Sequence, residues 1–312
     1  MSALSTALTE YLTVRRALGF KLYDTGLYLA QFVRFVEDEG AAFITRDLAL
    51  RWATQPQQAS TAYWARRLAM VRLFAHYCAT GDIRTEIPPP DLIAAHYQRK
   101  PPYLYTDQEV ARLIQAAGQL PSPQGLRAAT CSTVFGLLAA TGMRISEPLA
   151  LDRDDVDLEQ GALTIRDSKF GKSRWIPVHA TTRAVLQRYE ELRNRLFPTA
   201  LSPAFFLSER ATRLTQWAVR YTFVKLSHQI GLRGPQDHYG PRLHDLRHRF
   251  AVRTLLNWYR AGVDVERRLP QLAAYLGHAH VNDTYWYLSA TPELLALAAQ
   301  RLEPPHSGEG PP

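Results

Sequence analysis

Two proline clusters constrain this chain more than any other feature of its sequence. Pro88, Pro89 and Pro90 are consecutive, and Pro101 and Pro102 follow a short stretch later. Proline has no backbone N–H to donate and biases the residue before it toward extended backbone, so no helix runs through either cluster. The chain therefore reads as a first part over 1–90, a linker over 91–102 and a second part over 103–302. The tail EPPHSGEGPP at 303–312 has a composition that predicts disorder. With 312 residues, 46% of them apolar, each part is long enough to bury a core of its own.

The first part reads as four helices. In LTEYLTVRRALGFKLYDTGLYLAQFVRFVEDEG the apolar residues recur at helical spacing, and Gly19-Phe20-Lys21 separates two helices. Thr45 and Ser60 are placed to cap two more, and Trp64, Leu68, Val71 and Phe74 mark a buried stripe on the last. Short links between amphipathic helices predict a small bundle. Arg15, Arg16, Lys21, Arg66, Arg67 and Arg72 lie among these helices as candidate contacts for a phosphate backbone.

The second part changes period twice. Thr106 and Glu109 form a capping-box start, and an apolar helical run over 127–140 ends at Thr141-Gly142. Arg144 then sits at a sharp corner, with Glu147 as a potential salt-bridge partner. Pro148 is tolerated near a first helical turn. Alternation with period two predicts strands at Ala162–Arg166 and Arg174–Val178, joined by a turn containing Lys169, Gly171 and Lys172. Only five of the chain's basic residues are lysines, so two in one turn stand out. Helical periodicity returns at 181–196 and 214–229, followed by a polar loop over 231–240.

The formal charge of +8, from 37 basic and 29 acidic residues, points to a polyanionic partner. The basic residues are mostly arginine, whose planar fork binds phosphate bidentately. His244 and Arg247 are three apart at the head of a helical run, so they share a face and suit a common anion. His278, Tyr285 and Tyr287 follow; a tyrosine hydroxyl there could be nucleophile, acid or hydrogen-bond partner, and periodicity does not choose. His244 and His248 have the spacing of helical zinc ligands, with His278 and His280 further on. Arg247 stands between the first two where a metalloprotease motif would carry a glutamate, and a cation there disfavours a metal. No metal is therefore expected. Cys78 and Cys131 lie in apolar surroundings and read as small buried hydrophobes. His228 and His238 read as local surface or structural residues. A signal-like leader and an apolar run of membrane-spanning length are both missing, which leads to the expectation of a soluble, intracellular protein.

Taken in order, TGMRISEPLAL (141–151), DSKFGKSRWIPV (167–178), HDLRHRFA (244–251) and LGHAHVNDTYWY (276–287) resemble the signature segments of the tyrosine recombinases, also called phage integrases. The resemblance covers nearly the whole chain. It implies a mainly α fold: a helical N-terminal core-type DNA-binding bundle, then a mostly helical catalytic domain with a small antiparallel β-sheet. It implies catalytic roles for Arg144, Lys169, His244, Arg247, His278 and Tyr287, with Glu147 supporting Arg144 and Lys172 as a phosphate contact. Tyr287 stands nine residues after His278, the family spacing for the nucleophile, and Tyr285 departs from it.

The implied activity is site-specific recombination. DNA would be cut and rejoined through a 3′-phosphotyrosyl intermediate and a Holliday junction, without metal, ATP or another cofactor. Double-stranded recombination sites are the implied partner, gripped in a C-shaped clamp, with four protomers assembled on DNA and the free oligomeric state left open, monomer included. The implied location is the cytoplasm, on the nucleoid. A helix over 291–302 could pack on a neighbouring protomer. A type IB topoisomerase and a non-catalytic DNA-binding protein are the alternatives.

Overall fold

The computed structural model describes residues 2–95, 102–166, 173–199, 202–237, 239–289 and 291–302. The backbone clusters into two compact units, Met1–Lys100 and Pro101–Pro312. The turn bearing Lys169, Gly171 and Lys172, and also His238 and the tail over 303–312, fall outside the described residues.

The first unit holds four helices among its described residues: α1 (Ala3–Ala17), α2 (Tyr23–Asp38), α3 (Arg46–Thr54) and α4 (Thr61–Cys78). Ser2, Thr45 and Ser60 cap α1, α3 and α4 by accepting from a backbone N–H of the first turn, which satisfies one otherwise unpaired donor each. The break between α1 and α2 falls where Gly19 takes a positive φ of 89°. Leu4, Leu8 and Tyr11 from α1 meet Leu29, Phe32 and Val36 from α2, Trp52 from α3, and Leu68, Val71 and Phe74 from α4 in one core.

The second unit holds nine further helices among its described residues: α5 (Asp107–Gly118), α6 (Leu126–Thr141), α7 (Ser146–Ala150), α8 (Ala180–Leu196), α9 (Gln216–Gln229), α10 (Leu243–Arg260), α11 (Val265–Leu276), α12 (Asn282–Tyr285) and α13 (Pro292–Leu302). Thr106 and Glu109 close the capping box on α5 in both directions. Helix α6 is apolar nearly all round and is correspondingly buried, lying against α5, α8 and α10.

Three strands, β1 (Val156–Asp157), β2 (Ala162–Ile165) and β3 (Arg174–Pro177), form an antiparallel sheet in that order. The register pairs Leu163 with Ile176, both fully buried, so one face of the sheet joins the core. Strand β1, only two residues long, is too short to give a periodic signal and was not expected from the sequence.

Cys78 and Cys131 are free and buried, and burial pushes both thiols up to about 11. A smaller core joins α10, α11, Tyr287 and Leu294 of α13. One face of α13 is thus occupied within its own chain, while Leu295 on the same helix is half exposed. Among the described residues, no helix is long and apolar enough to cross a membrane.

Candidate active site

The corner after α6 is made by Gly142, whose φ of 62° caps the helix in the left-handed region. A Cβ at this position would lie 2.6 Å from the Phe250 ring, so α10 approaches the corner as closely as a bare backbone allows. Arg144 leaves this corner with its backbone N–H donating to Glu147 Oε2 at 2.8 Å. Its guanidinium donates from Nη1 to Glu147 Oε1 at 3.1 Å and from Nη2 to the Gly277 carbonyl at 2.8 Å. Pro148 sits within the first turn of α7, where its missing N–H leaves no intrahelical bond unmade.

Glu147 is gripped from the other side by Arg174 of β3. Arg174 Nη1 reaches Oε1 at 3.0 Å, Nη2 reaches Oε2 at 2.8 Å, and Nε donates to the Tyr275 carbonyl at 2.7 Å. Burial alone would raise the Glu147 carboxyl; the Arg174 fork and then Arg144 outweigh it and hold the group below its ordinary range.

Helix α10 is preceded by Arg242, whose backbone N–H and guanidinium Nη2 both donate to the Asp245 carboxylate at 2.8 Å. One turn in, Arg247 is almost fully buried and donates to the carbonyls of Gly142 (Nη1, 2.9 Å) and Leu276 (Nη2, 2.6 Å). Those two bonds tie the α6 corner to the end of α11. Burial and then the neighbouring Arg144 charge bring Arg247 down to about 10, so it stays protonated at neutral pH. Around one carboxylate, Glu147, the described residues gather three guanidinium groups, those of Arg144, Arg174 and Arg247. Among the described residues these three guanidinium groups outnumber the one carboxylate they surround, while Asp245 and Asp283 act on the adjoining His244 and His278.

The histidines in the same pocket are neutral. Burial, then the charge of Arg247, lowers both His244 and His278 to about 4. His278 follows Gly277, whose φ of 68° ends α11, and its Nδ1 meets the hydroxyl of the fully buried Thr284 at 2.7 Å. The Tyr287 ring stacks on His278 with centroids 6.1 Å apart and leans against His248 at 5.5 Å. Tyr287 also lies near enough to Arg247 for their charges to interact. Only 2% of Tyr287 is exposed, against 46% of Tyr285, so the two neighbouring tyrosines face different surroundings. His244 and His248 meet edge to face at 4.8 Å. Among the described residues, no three His, Cys, Asp or Glu side chains gather to hold a metal ion.

Arg144, Glu147, His244, Arg247, His278 and Tyr287, separate in sequence, thus occupy one pocket. Lys169 and Lys172 lie outside the described residues. Of the bundle residues singled out as phosphate contacts, Arg16, Lys21 and Arg66 are exposed, and Arg15 lies partly buried over the Phe20 ring at 4.1 Å. Arg67 requires correction: it is 6% exposed, sits 3.8 Å over the Trp52 ring and donates to the Trp52 carbonyl at 2.7 Å, so its fork faces the core. Arg72 is likewise engaged, donating to the carbonyls of Pro88 and Pro90 just before the linker.

Two contributors, Arg174 and Thr284, were not expected from the sequence. The signal for Arg174 was available. Strand β3 places Arg174 and Ile176 on the same face, and Ile176 faces the core, so an arginine in that register demands a buried acid.

A model of the phage integrase family matches residues 104–293. Over 307 residues the chain is 47% identical to "Putative integrase/recombinase y4rB" of Sinorhizobium fredii (strain NBRC 101917 / NGR234), covering 97% of this chain and 98% of that one. A second protein of that strain, "Putative integrase/recombinase y4rE", is 38% identical over 94% of this chain and 93% of its own length. Among solved structures, XerH site-specific recombinase bound to palindromic difH substrate, in a post-cleavage complex, matches with a TM-score of 0.65 at 21% identity, covering 90% of this chain and 80% of that one. A lambda integrase (75–356) dimer bound to a COC′ core site matches with a TM-score of 0.64 at 15% identity over 93% and 96%. At those identities the two structures show a shared fold. The family match and the full-length relatives go further: the chain belongs to the phage integrase family, the tyrosine recombinases.

Proposed function

We propose that this chain is a site-specific DNA recombinase whose nucleophile is Tyr287. The observation that carries the proposal is the gathering of the buried Arg247 and the partly buried Arg144 and Arg174 around the Glu147 carboxylate, beside a buried tyrosine and two imidazoles that burial keeps neutral. Such a pocket suits a phosphodiester whose negative charge grows as a fifth oxygen approaches phosphorus.

In the proposed reaction, Tyr287 Oη attacks the scissile phosphorus and its proton passes to one of the imidazoles of His244 and His278. The bond from phosphorus to the 5′-oxygen breaks, leaving a 3′-phosphotyrosyl ester. Lys169, assigned from the family motif, gives the departing 5′-oxygen its proton. Arg144 and Arg247 hold the nonbridging oxygens, and Glu147 orients Arg144. Attack by the 5′-hydroxyl of a partner strand reverses the chemistry, and the ester conserves the bond energy, so rejoining needs no ATP and no metal. Exchange between two duplexes calls for four protomers and a Holliday junction. Arg15, Arg16, Lys21 and Arg66, with Lys172, are the proposed phosphate contacts outside the pocket. A cytoplasmic, nucleoid-bound location follows from such a substrate.

The test uses DNA recovered by mapping where the protein binds in its host, rebuilt as nicked duplexes that trap the covalent intermediate. Wild type and Y285F are expected to form a protein–DNA adduct, and Y287F none. An adduct with Y287F but not with Y285F would move the nucleophile. Joined products from two duplexes establish recombination, whereas relaxation of a single circle without joining would make the protein a topoisomerase.

A further inference from the structure

The pocket contains one more arginine than the proposed chemistry uses. Arg174 lies on β3, immediately after the turn that carries Lys169, and its side chain is 10% exposed. Each oxygen of Glu147 accepts twice. Oε1 receives Arg144 Nη1 and Arg174 Nη1, and Oε2 receives the Arg144 backbone N–H and Arg174 Nη2. The Arg174 fork thus occupies the carboxylate bidentately, and Arg144 is left with a single side-chain bond to it. The other Arg144 nitrogen, Nη2, is fixed to the Gly277 carbonyl. Gly277 is packed so closely that a Cβ there would lie 2.9 Å from Arg174 Nη1 and 3.3 Å from Arg144 Nη1.

We propose that Arg174 is a positioning residue for Arg144: by occupying both oxygens of Glu147 it keeps that carboxylate from drawing in the whole Arg144 fork, which stays aimed at the scissile phosphate. Through Nε and the Tyr275 carbonyl the same side chain ties the lysine-bearing hairpin to the end of α11, where His278 begins. In this role Arg174 acts through Glu147 and Arg144 and makes its three side-chain bonds to protein atoms. Its effect arises because a buried carboxylate with one guanidinium removed takes the remaining one bidentately, the strongest pairing available to it.

This inference rests on the recombinase reading, and the experiment separates the two. Single-turnover adduct formation is measured for wild type, R174K, R174Q, E147Q and the R174Q/E147Q double variant. The substrates are nicked duplexes selected by wild type from a randomised pool. Each carries either a normal scissile phosphate or a methylphosphonate, which lacks the charge that Arg144 would hold.

R174Q is expected to slow adduct formation on the phosphodiester by about 100-fold, the scale of a misplaced catalytic group, with DNA affinity unchanged. The deficit shrinks on the methylphosphonate. The double variant is faster than R174Q, because removing the Glu147 charge frees Arg144. R174K, which keeps one bond to the carboxylate, falls between wild type and R174Q and serves if R174Q does not fold. Equal losses on the two substrates, a double variant no faster than R174Q, or wild-type rates in R174K and R174Q overturn the positioning role. Absence of any adduct with wild type overturns the recombinase reading beneath it.

Discussion

Arg67 is buried in the bundle and Arg247 in the second unit, where Arg193 is buried as well, and Arg67 and Arg247 are held in different ways. In the bundle, Arg67 lies on the Trp52 ring and donates from Nη2 to the carbonyl of the same residue, while its Nε is buried without a hydrogen-bond partner. In the second unit, Arg247 donates to two carbonyls but shares its pocket with Arg144 and Arg174 around the single carboxylate of Glu147. The first arrangement holds helices together. The second gathers more guanidinium than carboxylate among the described residues, and perturbed charges of that kind concentrate at functional sites.

The sharpest way to break this comparison is to remove each arginine and follow cleavage. R247Q is expected to slow covalent-adduct formation by roughly 100- to 1000-fold, the range for losing one donor to a transition-state oxyanion. R67Q is expected to leave the adduct rate per folded molecule at the wild-type value. A comparable loss from both would mean that burial, and not charge surplus, sets the contribution.

Stability should order the same pair the other way. R67Q removes a buried hydrogen bond and a ring contact, an expected loss of about 1–3 kcal/mol in urea unfolding. In Arg247 the depression to about 10 means that folding disfavours its charged form. R247Q is therefore expected to unfold at no lower urea concentration than wild type, while cleaving far more slowly. A clear drop in its midpoint would show that the two carbonyl bonds outweigh the repulsion from Arg144.

The contrast between the two arginines also marks where sequence reading stopped. Helix starts at Thr45, Ser60 and Thr106 were legible because a cap is a local event, decided within one turn. The residues that gather in the pocket were legible through four family-like segments. Their partners were less so, because Arg174 meets Glu147 across 27 residues and Tyr275 across 101. Arg67 was misread for the same reason: whether a helical arginine faces solvent or core depends here on Trp52, which comes from a different helix. Tyr285 and Tyr287 were told apart only by family spacing, and their unequal burial reflects how the turn after α12 folds back onto α10.

Acid should discriminate between the units more gently. His244 and His278 titrate at about 4 in the folded chain, below the ordinary 6.5, so between those values the unfolded chain binds more protons. Stability is then retained above about pH 6.5 and lost as pH falls toward 4. The bundle's only described histidine, His76, is exposed. Hydrogen exchange is expected to rise on acidification in α10 and α11 before it rises in α1–α4. The H244N/H278N variant should flatten that difference. Equal acid sensitivity in both units would remove the histidines as its cause.

The smallest expected effect probes the surplus charge without DNA. If the pocket of Arg144, Arg174 and Arg247 lacks a counter-charge, an inorganic oxyanion should bind it and stabilise only the folded chain. At a sulfate concentration equal to its dissociation constant the gain is about 0.4 kcal/mol, which for a unit of this size raises the melting temperature by roughly 1–2 °C. Matched chloride controls remove general salt effects, which act on exposed pairs throughout the molecule. The increment should vanish in R247Q and persist in R67Q, because only the former variant removes one of the uncompensated cations. A sulfate shift that survives in R247Q would place the anion on the surface arginines instead, and the buried surplus would then be balanced from within the fold.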